Sequence, residues 1–205
     1  MNQGDAANTQ VAIVDTGGAN IASLRFALER LGAETRLTTE VNQLNAASHV
    51  VLPGVGAAMD AMQRLDELDL IEPIKKLEQP VLGICLGMQL LAAFSEEQGA
   101  RCLGITADRT EQLMPSRDET VPHMGWNQLN RIDDDPLLRD ISVDDYFYFV
   151  HSYAIPIGNS TVASCRYTRD FAAVIRQGNF TGTQFHPERS SSAGAQLLSN
   201  FLELY

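Results

Sequence analysis

Residues 80–89 read Pro80-Val81-Leu82-Gly83-Ile84-Cys85-Leu86-Gly87-Met88-Gln89. The segment begins with a short apolar run, typical of a buried strand, and continues with a helical pattern. A cysteine between two glycines at a strand-to-helix junction has the geometry of a nucleophile elbow, in which a strained turn exposes the side chain at the top of a sheet. The glycines keep side-chain bulk away from an approaching substrate. The segment therefore predicts an α/β fold with a reactive thiol.

The thiol of Cys85 also has a simpler interpretation, because a free cysteine is often just a small buried residue of the core. Its position favours reactivity: a helix that begins directly after it stabilises negative charge on the sulfur through its dipole and free N–H groups. The Leu86 N–H is then one natural donor to an oxyanion. Cys102 and Cys165 have no comparable surroundings, and we expect them to pack in the interior.

A base and a carboxylate follow in the segment Gln184-Phe185-His186-Pro187-Glu188. On an extended chain His186 and Glu188 emerge on one face, and the proline between them stiffens the step. A histidine at a strand end is often structural, but a carboxylate two residues away can hold the imidazole tautomer and stabilise its charged form. His151 has no carboxylate at a useful spacing. Nucleophile, base and orienting group together predict covalent catalysis.

Strand and helix patterns alternate outward from this elbow. In the first hundred residues the predicted strands lie near 11–14, 35–37, 49–52 and 80–84, with helical spacing between them. This alternation predicts a mostly parallel twisted sheet with helices on both faces, as in flavodoxin-like folds. Later strand patterns lie near 103–105, 128–132, 146–155, 161–166 and 172–184, and a Gly178-Asn179 turn divides the last of them. We expect antiparallel strands to join or cap the sheet in this half.

Composition limits the classes of function. With 205 residues, 44% of them hydrophobic and 20% charged, the chain suits one domain over 10–205 after a polar, disordered leader at 1–9. It has no apolar run that could span a bilayer and no signal pattern, so a cytoplasmic location is expected. A net charge of −11 argues against binding to nucleic acid or to an anionic membrane. Three cysteines and four scattered histidines lack metal-type spacing, so no metal is expected.

Three segments together resemble the class I, or triad-type, glutamine amidotransferases, and the likeness extends over about residues 11 to 204. The segments are Pro53-Gly54-Val55-Gly56, Gly83-Ile84-Cys85-Leu86-Gly87-Met88-Gln89 and Thr183-Gln184-Phe185-His186-Pro187-Glu188. The first of them also reads as a plain strand-to-helix loop, and it lacks the P-loop pattern. Two further stretches resemble the glutaminase subunits of imidazole glycerol phosphate synthase: Val121-Pro122-His123-Met124-Gly125-Trp126-Asn127 and Tyr148-Phe149-Val150-His151-Ser152-Tyr153.

The resemblance implies a division of labour between two subunits. This chain would hydrolyse glutamine to glutamate and ammonia without a cofactor. A (βα)8-barrel cyclase subunit would use that ammonia to make imidazole glycerol phosphate and aminoimidazole carboxamide ribotide in histidine biosynthesis. The implied catalytic residues are Cys85, His186 and Glu188. The implied oxyanion and substrate-binding residues are Gly54, Val55, Leu86, Gln89, Ser152 and Tyr153.

The resemblance also implies a partner face, at Asn20, His123, Met124, Trp126 and Arg189. An isolated tryptophan such as Trp126 is otherwise usually a packing residue. Two positions depart from the common family pattern: Asp15-Thr16-Gly17 stands where Asp-Tyr-Gly is frequent, and Arg189 replaces a frequent lysine. Arginine keeps the charge but carries it on a planar fork, so partner contacts would differ in detail.

Three other classes of protein stay open at this level. One is the glutaminase subunit of another biosynthetic amidotransferase, serving anthranilate, guanylate or vitamin B6 synthesis. The second is a stand-alone cysteine hydrolase of similar fold, which would be fully active without a partner. The third is a non-catalytic binding module of amidotransferase descent, which the intact Cys85, His186 and Glu188 argue against.

Overall fold

A computed structural model describes residues 9–16, 21–54 and 56–204 of the chain. Residues 1–8 of the expected leader lie outside this range, and so do two expected site residues, Asn20 and Val55. Within the described ranges no helix is long and apolar enough to cross a membrane.

The amino-terminal half contains the strand and helix alternation that the sequence predicts. Its strands are β1 (Gln10–Val14), β2 (Glu34–Thr38), β3 (His49–Leu52) and β4 (Val81–Ile84). Its helices are α1 (Ile21–Arg30), α2 (Val41–Ala46), α3 (Ala58–Glu67), α4 (Ile71–Lys75) and α5 (Leu86–Leu90). β1 pairs in parallel with β2 and β3, and β3 pairs in parallel with β4.

The carboxy-terminal half supplies mainly antiparallel strands. They are β5 (Phe94–Ser95), β6 (Ala100–Arg101), β7 (Arg109–Gln112), β8 (His123–Ile132), β9 (Tyr146–His151), β10 (Tyr153–Ala154), β11 (Thr161–Tyr167), β12 (Arg169–Gln177) and β13 (Phe180–Thr183), followed by helix α6 (Ser191–Leu202). The predicted hairpin is confirmed: Gln177 pairs with Phe180 across a two-residue turn, and Gly178 has a φ of 59° there.

The strand order explains how the two halves form one site. Nine of the described strands form a sheet in the order β2-β1-β3-β4-β13-β12-β11-β8-β9. β13 pairs in parallel with β4 on one side and antiparallel with β12 on the other. Because Thr183 is in register with Ile84, the residues that follow each strand emerge side by side at one edge of the sheet. Cys85 follows β4, and Gln184 to His186 follow β13.

Helices cover both faces of the parallel part of the sheet, as predicted. One core cluster packs side chains of α1 and α6 against one face, and a second cluster packs those of α2, α3, α4 and α5 against the other. The four residues of β4 are buried on both faces, which explains its unbroken apolar sequence. The nucleophile elbow is therefore held by a strand in the centre of the core.

Three elements differ from the sequence-based expectation. Residues 103–105, expected as a strand, lie outside the strands, between β6 and β7. Residues 123–127, expected as a loop, are the first half of the ten-residue strand β8, which pairs with β9 along its length from His123 to Gln128. In addition, β10, β7, β5 and β6 form a small second sheet among the described residues. Strands of two residues, such as β5 and β6, are too short to leave a periodic pattern in the sequence.

Candidate active site

Cys85 occupies a strained turn between β4 and α5. Its φ of 54° and ψ of −108° are unusual for a residue with a side chain, and such backbone strain costs on the order of 1–3 kcal/mol. Two hydrogen bonds hold the turn: the Cys85 N–H donates to the Thr183 carbonyl at 2.7 Å, and the Gln89 N–H donates to the Cys85 carbonyl at 3.2 Å. The predicted strained strand-to-helix turn is therefore present, with the sulfur at the amino end of α5.

Glycines allow the loop after β3 to lie directly against this elbow. A Cβ added to Gly87 would overlap the carbonyl oxygen of Leu52, and one added to Gly54 would lie 2.6 Å from the Gly87 nitrogen. No side chain fits in either place, so the chain at Gly54 passes next to the first turn of α5. Gly54 and Leu86, two of the expected oxyanion donors, are thereby neighbours, as the 2.5 Å from the Gly54 Cβ position to the Leu86 Cβ confirms.

His186 lies between the sulfur and a carboxylate. Its Nδ1 is 2.8 Å from the Glu188 Oε1, and both side chains are almost fully buried. The backbone N–H of His186 donates to the Tyr148 carbonyl at 2.9 Å, which fixes the segment against β9. Burial lowers the pKa of His186, but its side-chain hydrogen bonds with Cys85 and Glu188 outweigh that effect and raise the pKa to about 10. With its pKa raised in this way, His186 is charged at neutral pH.

Two further groups contact the sulfur of Cys85. The carbonyl oxygen of Val150 and the Nε2 of Gln184 each lie 3.7 Å from it. The amide N–H of Gln184 can donate to a thiolate, whereas the carbonyl can only accept from a thiol. Gln184 is fully buried, and its role at the site was not predicted from the sequence. The only signal in the sequence was its place in the motif, two residues before His186.

Gln89 joins the elbow to the segment after β9. Its Nε2 donates to the Tyr153 carbonyl at 2.9 Å and to the Gln184 Oε1 at 2.9 Å. Because both amide hydrogens are used in this way, the amide oxygen of Gln89 is the atom left to meet a donor from a substrate. Ser152 and Tyr153 lie in the same segment, and the Ser152 carbonyl accepts from the Leu113 N–H at 2.9 Å.

An exposed aromatic surface lies beside the triad, which we call the aromatic patch. It consists of Met124, Trp126, Tyr146, Tyr148 and Arg189 on β8, β9 and the turn after His186. Met124 is 66% exposed and Trp126 is 53% exposed. The Arg189 guanidinium lies 4.4 Å above the Tyr148 ring, and Trp126 contacts the same ring edge-on.

His123 differs from the expectation that placed it with this face. Its side chain is 3% exposed, and it stacks between Phe149 and Tyr167 inside the protein. Alternation along a strand is the physical reason: Met124 and Trp126 point outward, and His123, which directly precedes Met124, points to the opposite face. No group of His, Cys, Asp and Glu residues in the described part of the chain could hold a metal ion.

The comparison with protein families agrees with this geometry. The model of the class-I glutamine amidotransferases matches residues 12–204. The chain belongs to this family. The amidotransferase is 50% identical over 200 residues to the imidazole glycerol phosphate synthase subunit HisH of Vibrio cholerae, with 95% of this chain and 98% of that protein covered. It is 49% identical over 196 residues to the HisH subunit of Xylella fastidiosa, with 96% and 98% covered.

Solved structures support the fold of the amidotransferase. A crystal structure of a glutamine amidotransferase superimposes with a TM-score of 0.73 at 19% identity, covering 94% of this chain and 97% of that chain. The structure of PurLQS from Thermotoga maritima gives a TM-score of 0.69 at 19% identity, covering 95% and 97%. The α/β sheet with helices on both faces is therefore that of class-I glutamine amidotransferases.

Proposed function

We propose that this amidotransferase is the glutaminase subunit of an imidazole glycerol phosphate synthase. The observation that carries the proposal is the arrangement of Cys85, His186 and Glu188, in which two strand ends bring together groups far apart in sequence. The similarity to HisH subunits over nearly the whole chain supports the choice among glutamine amidotransferases.

The first half of the reaction forms a thioester. The Cys85 thiolate attacks the carboxamide carbon of glutamine, and the carbonyl oxygen becomes an oxyanion. His186, whose Nδ1 is held by Glu188, gives its Nε2 proton to the departing nitrogen, so ammonia leaves and a γ-glutamyl thioester remains. The high pKa of His186 suits this step, because the proton is on the imidazole before the C–N bond breaks.

The second half uses the same histidine as a base. Neutral His186 accepts a proton from water, the hydroxide attacks the thioester carbon, and the thiolate leaves as glutamate forms. The oxyanion of both steps would be held by backbone N–H groups at Leu86 and around Gly54 and Val55. In the described structure the Gly54 chain lies against the Leu86 turn, which supports a shared site for these donors.

Glutamine itself would be recognised next to the elbow. The free amide oxygen of Gln89 fits a donor such as the α-ammonium group, and the backbone N–H groups of the segment at Ser152 and Tyr153 fit the α-carboxylate. Both sets of groups are immobilised through the bond between Gln89 and the Tyr153 carbonyl. These groups would hold the α-amino and α-carboxyl groups of an amino acid whose terminal carboxamide reaches Cys85.

The partner in the proposal is a (βα)8-barrel cyclase subunit that binds at the aromatic patch. A patch of aromatic residues and one arginine has the composition of an interface core. It adjoins His186 through Arg189, three residues further along the chain, so ammonia released at the triad would be close to the covered surface. A cytoplasmic location belongs to the same proposal, and it is supported by the three unpaired cysteines.

Activity of the assembled enzyme tests the function. The chain is combined with a cyclase subunit, and formation of imidazole glycerol phosphate is measured with glutamine or with ammonium salt as the nitrogen source. We expect both sources to work with the wild type and only ammonium to work with C85A. Glutamine-dependent synthesis by C85A would contradict the proposal. Rapid glutamine hydrolysis by the free chain, without an effect of the cyclase, would favour a stand-alone hydrolase.

A further inference from the structure

A buried chain of hydrogen bonds runs from β8 to the glutamine pocket. His123 and His151 are register partners on β8 and β9, and the Nδ1 of His123 lies 3.0 Å from the Nε2 of His151. The Nδ1 of His151 lies 2.9 Å from the Tyr153 carbonyl oxygen. At the other end, the Nδ2 of Asn127 lies 3.3 Å from the Nε2 of His123. Four residues are thus connected in series, and none of them belongs to the triad.

One arrangement of hydrogens satisfies this series. A carbonyl can only accept, so the Nδ1 of His151 carries a hydrogen and its Nε2 accepts. The Nδ1 of His123 must then donate, and its Nε2 must accept from Asn127. The Asn127 amide is itself oriented, because its Nδ2 also donates to the Arg166 carbonyl at 3.0 Å and its oxygen accepts from the Gln128 N–H at 2.8 Å.

The surroundings keep both rings neutral, as this arrangement requires. His123 stacks on Tyr167 at a centroid distance of 3.9 Å, and His151 packs edge-on against Phe171. Burial lowers the pKa of His123 to about 4 and that of His151 to about 3, and the neighbouring His123 adds to the effect on His151. A second proton on the His123 ring would face the Asn127 amide donor, and one on the His151 ring would face the donor on the Nδ1 of His123, so a hydrogen bond would be lost in either case.

We propose that His123 and His151 are positioning residues that hold the Tyr153 carbonyl where Gln89 needs it. This carbonyl accepts two hydrogen bonds, one from the His151 ring and one from the Gln89 side chain. With this series of hydrogen bonds intact, the Gln89 amide oxygen and the backbone N–H groups at Ser152 and Tyr153 keep the orientation in which they would bind glutamine. The inference rests on the proposed glutaminase function, since glutamine is the ligand whose binding is positioned.

Two substitutions of His123 separate its hydrogen bond from its packing. His123→Phe keeps a ring between Tyr167 and Phe149 but cannot donate to His151, whereas His123→Asn places an amide donor near the position of Nδ1. The control is Asn130→Ala, at an exposed position near the carboxy-terminal end of β8. Glutamine hydrolysis is measured in the complex with the cyclase subunit, and kcat and KM are determined separately.

The expected result is a KM for glutamine about tenfold higher in H123F, with kcat within about threefold of the wild type, because a lost buried hydrogen bond weakens binding rather than chemistry. H123N and N130A should both stay close to the wild type. An unchanged KM in folded H123F would overturn the inference, and so would a loss confined to kcat. A wild-type complex that hydrolyses no glutamine would overturn the proposed function and this inference together.

A measurement on the unaltered protein keeps the inference testable if H123F does not fold. Nitrogen NMR of the histidine rings distinguishes the two neutral tautomers. We expect His123 and His151 both to carry their hydrogen on Nδ1 at pH 7. A hydrogen on the Nε2 of His151 would contradict the series, since that nitrogen could then no longer accept from His123.

Discussion

The Nδ1 of His186 lies 2.8 Å from the Oε1 of Glu188, two residues further along the chain, and both side chains are buried. This contact leaves the opposite nitrogen of the ring for the sulfur of Cys85. A short 3-10 helix, Pro187–Arg189, makes it possible by turning the chain directly after the histidine. The orienting carboxylate thus comes from the same segment as the base, whereas the nucleophile comes from a different strand.

The charge on His186 gives a first prediction. Its raised pKa, about 10, means that the imidazolium persists through the neutral range and loses its proton only as the pH rises toward that value. In C85A the hydrogen bond and the charge interaction with the sulfur, both of which raise the pKa of His186, are gone while the burial stays, so this pKa should fall. NMR titration of the His186 ring between pH 5 and pH 11 in both proteins checks this. The same midpoint in both would contradict a charged sulfur–imidazole pair.

Replacing Glu188 by glutamine should remove the orientation and the charge compensation of His186. We expect Glu188→Gln to lower kcat for glutamine hydrolysis about 100-fold or more, in the range of lost acid–base catalysis, with little change in KM. Glu203→Gln, which alters an exposed carboxylate paired with Arg139, is the matched control and should stay near the wild type. Equal activities of the two variants would argue that Glu188 has no part in the reaction.

The contact between Gly87 and the β3 loop predicts a loss of stability. A methyl group at Gly87 would overlap the Leu52 carbonyl, and both partners are backbone atoms that cannot move independently. We expect Gly87→Ala to lower the free energy of unfolding by about 3 kcal/mol, the upper part of the range for overpacked cores. Gly158→Ala is the control, because the nearest atom to the added Cβ is a side-chain oxygen of Asp108 at 3.1 Å, not an overlapping backbone atom. If urea unfolding gives the same loss of unfolding free energy for G87A and G158A, the close contact at Gly87 does not hold the loop.

Short segments of sequence were sufficient to predict the elbow at Cys85 and the order of strands and helices in the amino-terminal half. The apolar β4, the glycines on both sides of Cys85 and the helix after it are all consecutive, so one short segment contains the whole pattern. The hairpin at Gly178 was predictable for the same reason, since a two-residue turn between strands depends on neighbours in the chain. The pairing of His186 with Glu188 was also expected from local spacing, but the structure forms it through the 3-10 helix Pro187–Arg189 and not through the extended chain on which the expectation rested.

Contacts between residues far apart in the chain could not be predicted from short segments of sequence. Only the strand order places β13 beside β4, and the sequence carries no sign of which strands pair across a hundred residues. The same limit hid the role of Gln184, whose two partners come from α5 and the elbow. For the same reason, His123 was wrongly expected at the surface. The segment that contains His123, Met124 and Trp126 has the composition of an exposed loop, but it pairs with β9 as a strand, so its side chains alternate between two faces.

The aromatic patch gives a prediction about partner binding. Trp126 is half exposed and contacts Tyr148, so its removal should leave a gap in the centre of the proposed interface. We expect Trp126→Ala to weaken the affinity for the cyclase subunit by about 30-fold, as for an aromatic hot spot. Met59→Ala, at an exposed position on α3, is the control. Calorimetric titration that finds wild-type affinity for W126A would place the interface elsewhere.

The central claim is that Cys85 attacks glutamine and carries the γ-glutamyl group. The most direct test is to quench the cyclase-bound protein during turnover, digest it and locate the adduct by mass spectrometry. We predict a γ-glutamyl thioester on the peptide that contains Cys85, and no adduct in C85A. A thioester on Cys102 or Cys165, or glutamine hydrolysis by C85A at the wild-type rate, would contradict the account.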